Sequence, residues 1–377
     1  MTAPRITSVP PAVGAPATPI VAARRGARLE KLEAIRGFAA TYVFIVHAVK
    51  VFFPDLGRWN APFRLGTEAV ILFFIMSGFV IYFSVFGAGR TETFRAYFIK
   101  RVRRIYPIFV LSLMLAWGVQ SFIARQPVPP DGVNLAGNLA MLQSFDTGRG
   151  GVWFTQYQHN GTLWSLAYEW WYYMLFFPLA GLALVKPRVQ PWAALAISIA
   201  ATLVVWAAPN PPALYLAWLA IWWSGVELAR EYIRTGRLTM RAQAPSIVAL
   251  ALLLAMWLGY AATHRELVSI DQLGRSPMND IRAFAFSLCV LVGGLVWYSV
   301  GFPGFRWIFG WFTPLAPISY GLYVFHFPIL QGVQDTLGGR WPILGICVSL
   351  TLVVLLAYLA EVRLQRVINR ATAVLLR

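Results

Sequence analysis

Long apolar stretches constrain the fold of this chain more than any other feature. A helix needs about 20 consecutive apolar residues to cross a bilayer, and ten stretches meet that requirement. Hydrophobic residues make up 58% of the chain and charged residues only 12%, about half the charged fraction of a soluble domain. The sequence therefore predicts an all-α polytopic membrane protein with about ten transmembrane helices in one bundle. The predicted spans are residues 35–53, 67–86, 105–123, 163–185, 190–208, 212–229, 244–262, 281–302, 314–333 and 341–361.

The first 27 residues differ from the rest in composition. They are rich in proline and alanine and contain few residues that could nucleate a core. Segments of this kind do not bury enough apolar surface to fold. We therefore expect a disordered cytoplasmic tail over residues 1–27 and a single membrane domain over residues 28–377.

The formal net charge of +17 is distributed unevenly between the two sides of the predicted bundle. With the N-terminus in the cytoplasm, the cytoplasmic segments hold 23 of the 32 lysines and arginines. This is the asymmetry that the positive-inside rule describes, and an even number of spans also leaves the C-terminus inside. Membrane topology accounts for the charge, so the bilayer is an expected partner and nucleic acid is not.

Arg36 and His47 lie in an otherwise apolar part of the first span. Eleven residues make about three helical turns, so the two side chains point to the same side, about 16 Å apart along the axis. Ionisable groups inside a membrane are costly and usually face a bundle interior or a wet cavity. The pair indicates a functional site. An arginine that reaches the membrane surface and a histidine that pairs with a neighbouring helix would also explain it.

The next two spans carry further polar groups. Ser77 and Gly78 are small enough to permit close helix approach, which is a structural role. Arg101, Arg103 and Arg104 lie on the cytoplasmic side, where the positive-inside rule alone would place them. Because Arg101 and Arg104 are three residues apart, they share a helix face and could hold phosphate groups.

Two later spans also contain polar groups. Glu169 lies among apolar and aromatic residues, so it needs a cationic or hydrogen-bonding partner, and a structural ion pair is the alternative to a site role. Trp164 and Ser165 stand at the predicted start of that helix, where the serine could be a cap. Tyr320 and His326 lie in the ninth span, and His326 could simply end the hydrogen bonding of its helix.

Taken in order, these elements resemble acyltransferase family 3, the membrane-bound acyltransferases that modify sugars and other hydroxylated acceptors. The matching elements are Arg36-x10-His47, Phe73-Phe74-x-x-Ser77-Gly78-Phe79, Arg101-x-x-Arg104 followed by Tyr106-Pro107, Trp164-Ser165-Leu166-x-x-Glu169, and Ser319-Tyr320-x-x-Tyr323-x-x-His326-x-Pro328. They cover about residues 30–365, and the first is the most specific. The family typically has ten spans with both termini in the cytoplasm, which agrees with the count above.

The resemblance implies that an acyl group, most often acetyl, is transferred from acyl-CoA to a hydroxyl, with His47 as the general base. The predicted catalytic residues are His47, Arg36 and Glu169. The predicted donor-binding residues are Arg101, Arg103, Arg104 and Ser77. The predicted acceptor-binding residues are Trp164, Ser165, Tyr320 and His326. The four scattered histidines give no metal-ligand spacing, so no metal is expected.

The expected acceptor is a glycan or a lipid-linked sugar at a bacterial cytoplasmic (inner) membrane, approaching from outside beside the long connection 124–162. A small secondary metabolite also fits. The sequence leaves the acceptor, the acyl chain length and the oligomeric state open. A transporter or flippase without covalent chemistry is the alternative function, since it too would use charged groups inside the membrane. Against it, the two halves of the chain lack the matching pair of glycine- or proline-broken spans that transporters often show.

Overall fold

The computed structural model describes residues 19–87, 92–144, 150–181, 186–269 and 273–373. Within these ranges the chain is helical, apart from turns, irregular connections and one isolated β-bridge between Gln143 and Phe154. The helices are α1 (Pro19–Phe52), α2 (Gly66–Phe86), α3 (Phe94–Ile123), α4 (Gly132–Leu139), α5 (Trp164–Phe176), α6 (Gln190–Ala207), α7 (Pro211–Ala217), α8 (Leu219–Thr235), α9 (Met240–Thr263), α10 (Met278–Ser299), α11 (Phe305–Ile308), α12 (Ser319–Leu337), α13 (Pro342–Tyr358) and α14 (Gln365–Ala371).

In the described ranges, seven helices are long and apolar enough to cross a membrane. They are α1, α2, α3, α6, α9, α10 and the continuous helix that α13 forms with α14. The predicted all-α polytopic membrane fold is confirmed. The remaining three of the ten predicted spans are also helical, but their helices are shorter or less uniformly apolar.

Each of these three spans has a local reason for its interruption. α5 ends after 13 residues in a π-helical turn, Phe177–Gly181. The span predicted at 212–229 is divided at Trp218 between α7 and α8. Ahead of α12, two prolines lie in a 3-10 segment, Gly310–Ile318, which delays the start of the α-helix. Predicted site residues lie on these interrupted helices, among them Glu169 on α5 and His326 on α12.

α1 begins at Pro19, inside the segment that the sequence predicts to be a disordered tail. Proline is well tolerated at the first position of a helix. No proline follows until the end of α1, and the next turns are rich in alanine, arginine and leucine, which favour helix. Residues 1–18 of the predicted tail lie outside the described residues. The 34-residue helix carries Arg36 and His47 together, as their spacing predicts.

α2 and α8 pack closely through two glycines that face each other's backbone. A Cβ added at Gly78 would overlap the carbonyl oxygen of Trp222, and one added at Gly225 would overlap that of Ile75. The close approach expected from Gly78 is therefore present. It brings the indole of Trp222 to Ser77, whose Oγ accepts from Nε1 at 3.1 Å.

α1 packs against α2, α12 and the segment Gly310–Ile318. Gly37 permits the last contact, because a Cβ there would overlap the carbonyl oxygen of Phe312. Beside it, Nη2 of Arg36 donates to the carbonyl oxygen of Ala316 at 3.1 Å. These contacts place α1 along α12, so that the far part of α1 meets the middle of α12.

Candidate active site

His47 on α1 and His326 on α12 contact each other inside the bundle. Nδ1 of His47 lies 2.9 Å from Nε2 of His326, and the ring centroids are 5.1 Å apart with an interplanar angle of 26°. His326 is completely buried, whereas His47 is half-buried. His326 can therefore reach a reacting molecule only through His47.

The hydrogen bonds of the pair assign its protons. Nδ1 of His326 lies 3.1 Å from the carbonyl oxygen of Leu322, so it must donate. A neutral imidazole carries one N–H, and Nε2 of His326 is therefore an acceptor. Nδ1–H of His47 then donates to it, which leaves Nε2 of His47 unprotonated. We assign His47 as the histidine that can accept a further proton.

His47 lines a cavity of about 360 Å³ between α1, α2 and α10, which we call the histidine cavity. Its polar lining consists of His47, Lys50, Arg64, Thr67, Asn279 and Arg282. Its aromatic lining consists of Trp164, Tyr168, Trp218 and Tyr323. Aromatic walls with a few convergent polar groups are typical of small-molecule sites.

A second cavity, of about 390 Å³, lies beside the other end of α1, and we call it the arginine cavity. The apolar part of its wall comes mainly from α2. Its polar lining consists of Glu33, Arg36, Ser77, Ser84, Arg101, Arg104, Ser165, Glu169, Tyr173, Ser319, Tyr320 and Tyr323. A mainly apolar channel with several guanidinium groups suits a long molecule that ends in phosphates.

The three arginines of this cavity are held by different partners. Arg101 donates to Oγ of Ser84 at 3.1 Å, and its guanidinium lies over the ring of Tyr97. Arg104 forms an ion pair with Glu361, with Nη2 3.0 Å from Oε2. Nε of Arg36 and Nε of Arg101 are buried and have no hydrogen-bond partner among the described residues. Each of these two arginines therefore has an N–H group that can donate to a bound anion.

Glu169 is held by a hydroxyl rather than by a salt bridge. The hydroxyl of Tyr173 donates to Oε1 of Glu169, and Oγ of Ser77 donates to the Tyr173 hydroxyl at 3.0 Å. Among the described residues, Glu169 has no cationic group within 4.0 Å, although its charge interacts over longer range with Arg104 and Arg36. The hydrogen-bonding partner that the sequence requires is therefore Tyr173.

The two cavities meet at Val70 and Tyr323, which line both of them. The Tyr323 hydroxyl donates to the carbonyl oxygen of Thr162 at 3.1 Å and lies 2.7 Å from Oγ of Ser165. The end of the connection 124–162 thus contacts the tyrosine at the junction and holds it in place. A group at the end of the arginine cavity can come close to the histidine cavity at this point.

The structure distributes the predicted site residues over both cavities. The arginine cavity is lined by Arg36, Ser77, Arg101, Arg104, Ser165, Glu169 and Tyr320. The histidine cavity is lined by His47 and Trp164. His326 contacts His47 but lines neither cavity, and Arg103 also lines neither. Ser165 and Tyr320, predicted to bind the acceptor, lie with the arginines instead.

Three cations of the histidine cavity are not among the site residues predicted from the sequence: Lys50, Arg64 and Arg282. A signal was present, because all three belong to the predicted outer side, where the positive-inside rule does not favour basic residues. Lys50 also lies three residues after His47 and so shares its helix face. The positive-inside rule therefore does not explain why these three cations lie where they do.

Comparison with known proteins gives two matches. The family model of acyltransferase family 3, described as an acyltransferase domain, matches residues 29–362. Acyltransferase MdmB of Streptomyces mycarofaciens is 30% identical over 257 residues. That alignment covers 61% of this chain and 63% of the relative, less than two thirds of its length. No solved structure matches the chain. The residues of both cavities lie within the range that the family model matches.

Proposed function

This chain belongs to acyltransferase family 3, and on that premise we propose that it transfers an acyl group, acetyl in the simplest case, from cytoplasmic acyl-CoA to a hydroxyl. The acceptor is a glycan or a lipid-linked sugar. The similarity to a protein named as an acyltransferase supports the reaction class. The predicted location is the bacterial cytoplasmic membrane, with both termini inside.

The His47–His326 pair carries this proposal. A hydroxyl that attacks a thioester must lose its proton, and histidine is the side chain that most often accepts it. Nε2 of His47 is the free acceptor of the pair, and His326 fixes that tautomer through a 2.9 Å contact. A second residue that hydrogen-bonds to the other ring nitrogen of a catalytic histidine commonly fixes its tautomer and orientation in this way.

The proposed step conserves protons. The acceptor hydroxyl gives its proton to Nε2 of His47 while its oxygen bonds to the thioester carbonyl carbon. Nδ1–H of His47 continues to donate to His326, which stabilises the imidazolium. The C–S bond then breaks, and the departing CoA sulfur takes the proton back from Nε2. The products are an ester and free CoA, and His47 is neutral again.

The arginine cavity is the proposed donor site. CoA carries a pyrophosphate and a further phosphate, and Arg36, Arg101 and Arg104 provide guanidinium groups for them. The apolar wall beyond the arginines suits the pantetheine arm. Because the cavity meets the histidine cavity at Val70 and Tyr323, an acyl group at the end of that arm comes close to His47.

Glu169 has a supporting role in this proposal. It lies in the wall of the donor cavity, hydrogen-bonded to Tyr173, and its charge offsets those of Arg36 and Arg104. It is farther along the cavity from His47 than a proton acceptor should be, since it does not line the histidine cavity. We therefore assign it to shaping the donor site rather than to proton transfer.

A transporter would not need the histidine tautomer described above, and the family match favours covalent chemistry. The direct test is to incubate membranes containing the protein with radiolabelled acetyl-CoA and to follow the label into glycan and lipid fractions. His47→Gln should insert normally and still bind acetyl-CoA, because the proposed phosphate contacts lie at the other end of α1. Transfer should fall by at least about 10²-fold, the lower end of what a positioned base supplies. Transfer at the wild-type rate by a folded His47→Gln protein would remove His47 from the mechanism.

A further inference from the structure

The histidine cavity contains three cations on the side of the bundle where topology does not favour them. Lys50 lies near the end of α1, Arg64 just before α2, and Arg282 on α10. Arg36, Arg101 and Arg104 line the other cavity, beside the opposite ends of α1 and α2. The positive-inside rule accounts for Arg36, Arg101 and Arg104. It does not account for Lys50, Arg64 and Arg282, which we call the outer group.

The carboxylates near the outer group are already engaged. Glu68 accepts from Arg282 through both oxygens, at 2.9 Å and 2.7 Å. Asp280 accepts from Nε1 of Trp218 at 2.9 Å and from Oγ of Ser276 at 2.7 Å. Within the part of the chain that the structure describes, Lys50 and Arg64 have no carboxylate within 4.0 Å. Two cations therefore face the cavity without a counter-ion from those residues.

The backbone that carries Arg64 and the side chain of Arg282 are held by hydrogen bonds. Nη2 of Arg282 donates to the carbonyl oxygen of Arg64 at 2.7 Å, and the hydroxyl of Tyr42 donates to the carbonyl oxygen of Pro62. The 3-10 segment Gly57–Arg64 is thereby tied to α1 and α10. Thr67 adds a hydroxyl, which donates to Oδ1 of Asn279 at 3.1 Å. Because this part of the cavity wall is ordered before binding, less ordering is needed when a charged group binds.

The cations are also placed at a useful distance from the proposed base. His47 and Lys50 are neighbours on one helix face, with Cβ atoms about 5–6 Å apart, which is comparable with the width of one sugar ring. Opposite them stands the aromatic wall, where Trp218 is oriented by its hydrogen bond to Asp280. A sugar ring against that wall can present a hydroxyl to His47 and an anionic substituent to Lys50 and Arg64.

From this arrangement we infer that the histidine cavity contains an anion site, formed by Lys50 and Arg64 and braced by Arg282, and that the acceptor is a sugar bearing a phosphate close to the acylated hydroxyl. The inference rests on the proposed function for the identity of the acceptor. A phospholipid headgroup carries the same phosphate chemistry, so the experiment must separate these two sources.

The test measures binding rather than turnover. The protein is placed in phosphatidylcholine nanodiscs at constant ionic strength, with desulfo-CoA added to fill the arginine cavity. α-D-Glucose 1-phosphate and glucose are then titrated separately, and apparent dissociation constants are obtained from the shift in unfolding temperature. The variant is Lys50→Gln/Arg64→Gln. The matched control is Arg265→Gln/Arg340→Gln, which removes two exposed cations that line neither cavity.

The wild-type protein should bind glucose 1-phosphate at least about tenfold more tightly than glucose, since charge-assisted hydrogen bonds are the strong ones. Lys50→Gln/Arg64→Gln should lose about tenfold or more of that preference, while the control pair keeps it. Retained binding of desulfo-CoA shows that each variant is folded. Equal affinities in the wild type, or an unchanged preference in Lys50→Gln/Arg64→Gln, would overturn the inference.

A second arm replaces part of the lipid with phosphatidylglycerol. An unchanged preference for glucose 1-phosphate supports an acceptor site, whereas its loss would mean that lipid headgroups occupy the cavity and would overturn the inference. Transfer from labelled acetyl-CoA is measured on parallel samples without desulfo-CoA. Transfer without an anion preference defeats this inference alone. An anion preference without transfer defeats the proposed function and the naming of the bound sugar phosphate as the acceptor, and it leaves the anion site in place.

Discussion

The chemistry proposed for single residues depends on which nitrogen of His47 carries the proton. The carbonyl of Leu322 fixes the proton of His326 on Nδ1, and His326 in turn fixes that of His47 on Nδ1. Each step uses a hydrogen bond that only one tautomer can form. His326 is thus a positioning residue, which acts through His47 and needs no contact with the substrate.

This role predicts different outcomes for two replacements of His326. Gln in His326→Gln offers a carbonyl oxygen that can still accept from Nδ1–H of His47, whereas Leu in His326→Leu has no acceptor. We expect His326→Leu to lower kcat by about 10²-fold, because the base loses its fixed tautomer, and His326→Gln to recover a substantial part. KM for acetyl-CoA should stay unchanged in both. Equal kcat values in two well-folded variants would assign His326 to packing.

The arginines of the proposed donor site offer a matched comparison on α3. Arg101 lines the arginine cavity and has an unpartnered Nε, while Arg103, two residues away, lines neither cavity. Arg101→Gln should raise KM for acetyl-CoA by roughly tenfold or more, since a charge-assisted hydrogen bond contributes about 1.5–3 kcal/mol. Arg103→Gln should leave it near the wild-type value. Arg104 is a less suitable target, because its removal would leave Glu361 without its ion-pair partner.

A similar increase in KM for both variants would show that the basic cluster attracts the donor through its overall charge. Initial rates over a range of acetyl-CoA concentrations, in detergent at fixed salt, separate the two cases. Long-range attraction weakens as salt increases, whereas a direct contact inside the cavity is much less sensitive.

Helical spacing explains which site residues could be predicted and which could not. Arg101 and Arg104 share a face because they are three residues apart, and the structure places both beside one cavity. Trp164 and Ser165 are adjacent, so they point about 100° apart, and they line different cavities. The sequence supplies these relative angles but not the rotation of a helix against its neighbours. For this reason the sequence could not predict that Ser165 and Tyr320 line the same cavity as Arg36, Arg101 and Arg104.

At the scale of helices, the site depends on how closely α2 approaches α8. Gly78 and Gly225 let the two backbones meet, and the same contact brings Trp222 to Ser77. Ser77 in turn donates to the hydroxyl of Tyr173 on α5. The small residue next to Ser77 thus has a structural role, and its effect on the donor cavity is indirect. Apolar stretches predicted α2 over nearly its whole length, because this helix is uniformly apolar. They missed the more polar first turns of α1 and α3, which begin at Pro19 and Phe94, before the predicted starts at 35 and 105. They could not show the breaks at Trp218 and ahead of α12, which depend on local packing and on prolines.

Replacing the interface glycine should therefore cost stability before it changes chemistry. In Gly78→Ala the new methyl group would overlap the backbone of α8, and overpacking of this kind costs about 1–3 kcal/mol. Gly118→Ala on α3 and Gly293→Ala on α10 are controls, because nothing lies within 4 Å of a Cβ at either position. The unfolding temperature in detergent should fall for Gly78→Ala and stay the same or rise for the controls. A fall of equal size in all three would mean that α2 and α8 are not closely packed.

At the scale of the whole molecule, the two cavities open the bundle from opposite ends of α1 and meet near its middle. Arg36 and His47 mark these two ends on one helix, and Val70 and Tyr323 form the junction between them. An enzyme built in this way can take its donor from one side of the membrane and its acceptor from the other. The distribution of lysine and arginine predicts that the arginine cavity faces the cytoplasm.

This arrangement predicts that the reaction is sided. Acetyl-CoA is highly charged and does not cross a bilayer, so externally added donor should support transfer in inverted membrane vesicles and not in sealed right-side-out vesicles. Permeabilising the right-side-out vesicles should restore transfer to the level seen in inverted ones, because the arginine cavity then becomes accessible. His47→Gln vesicles of both orientations provide the background. Transfer from external acetyl-CoA in sealed right-side-out vesicles, and not in inverted ones, would place the donor cavity on the outer side and reverse the topology on which the proposed passage of the acyl group depends.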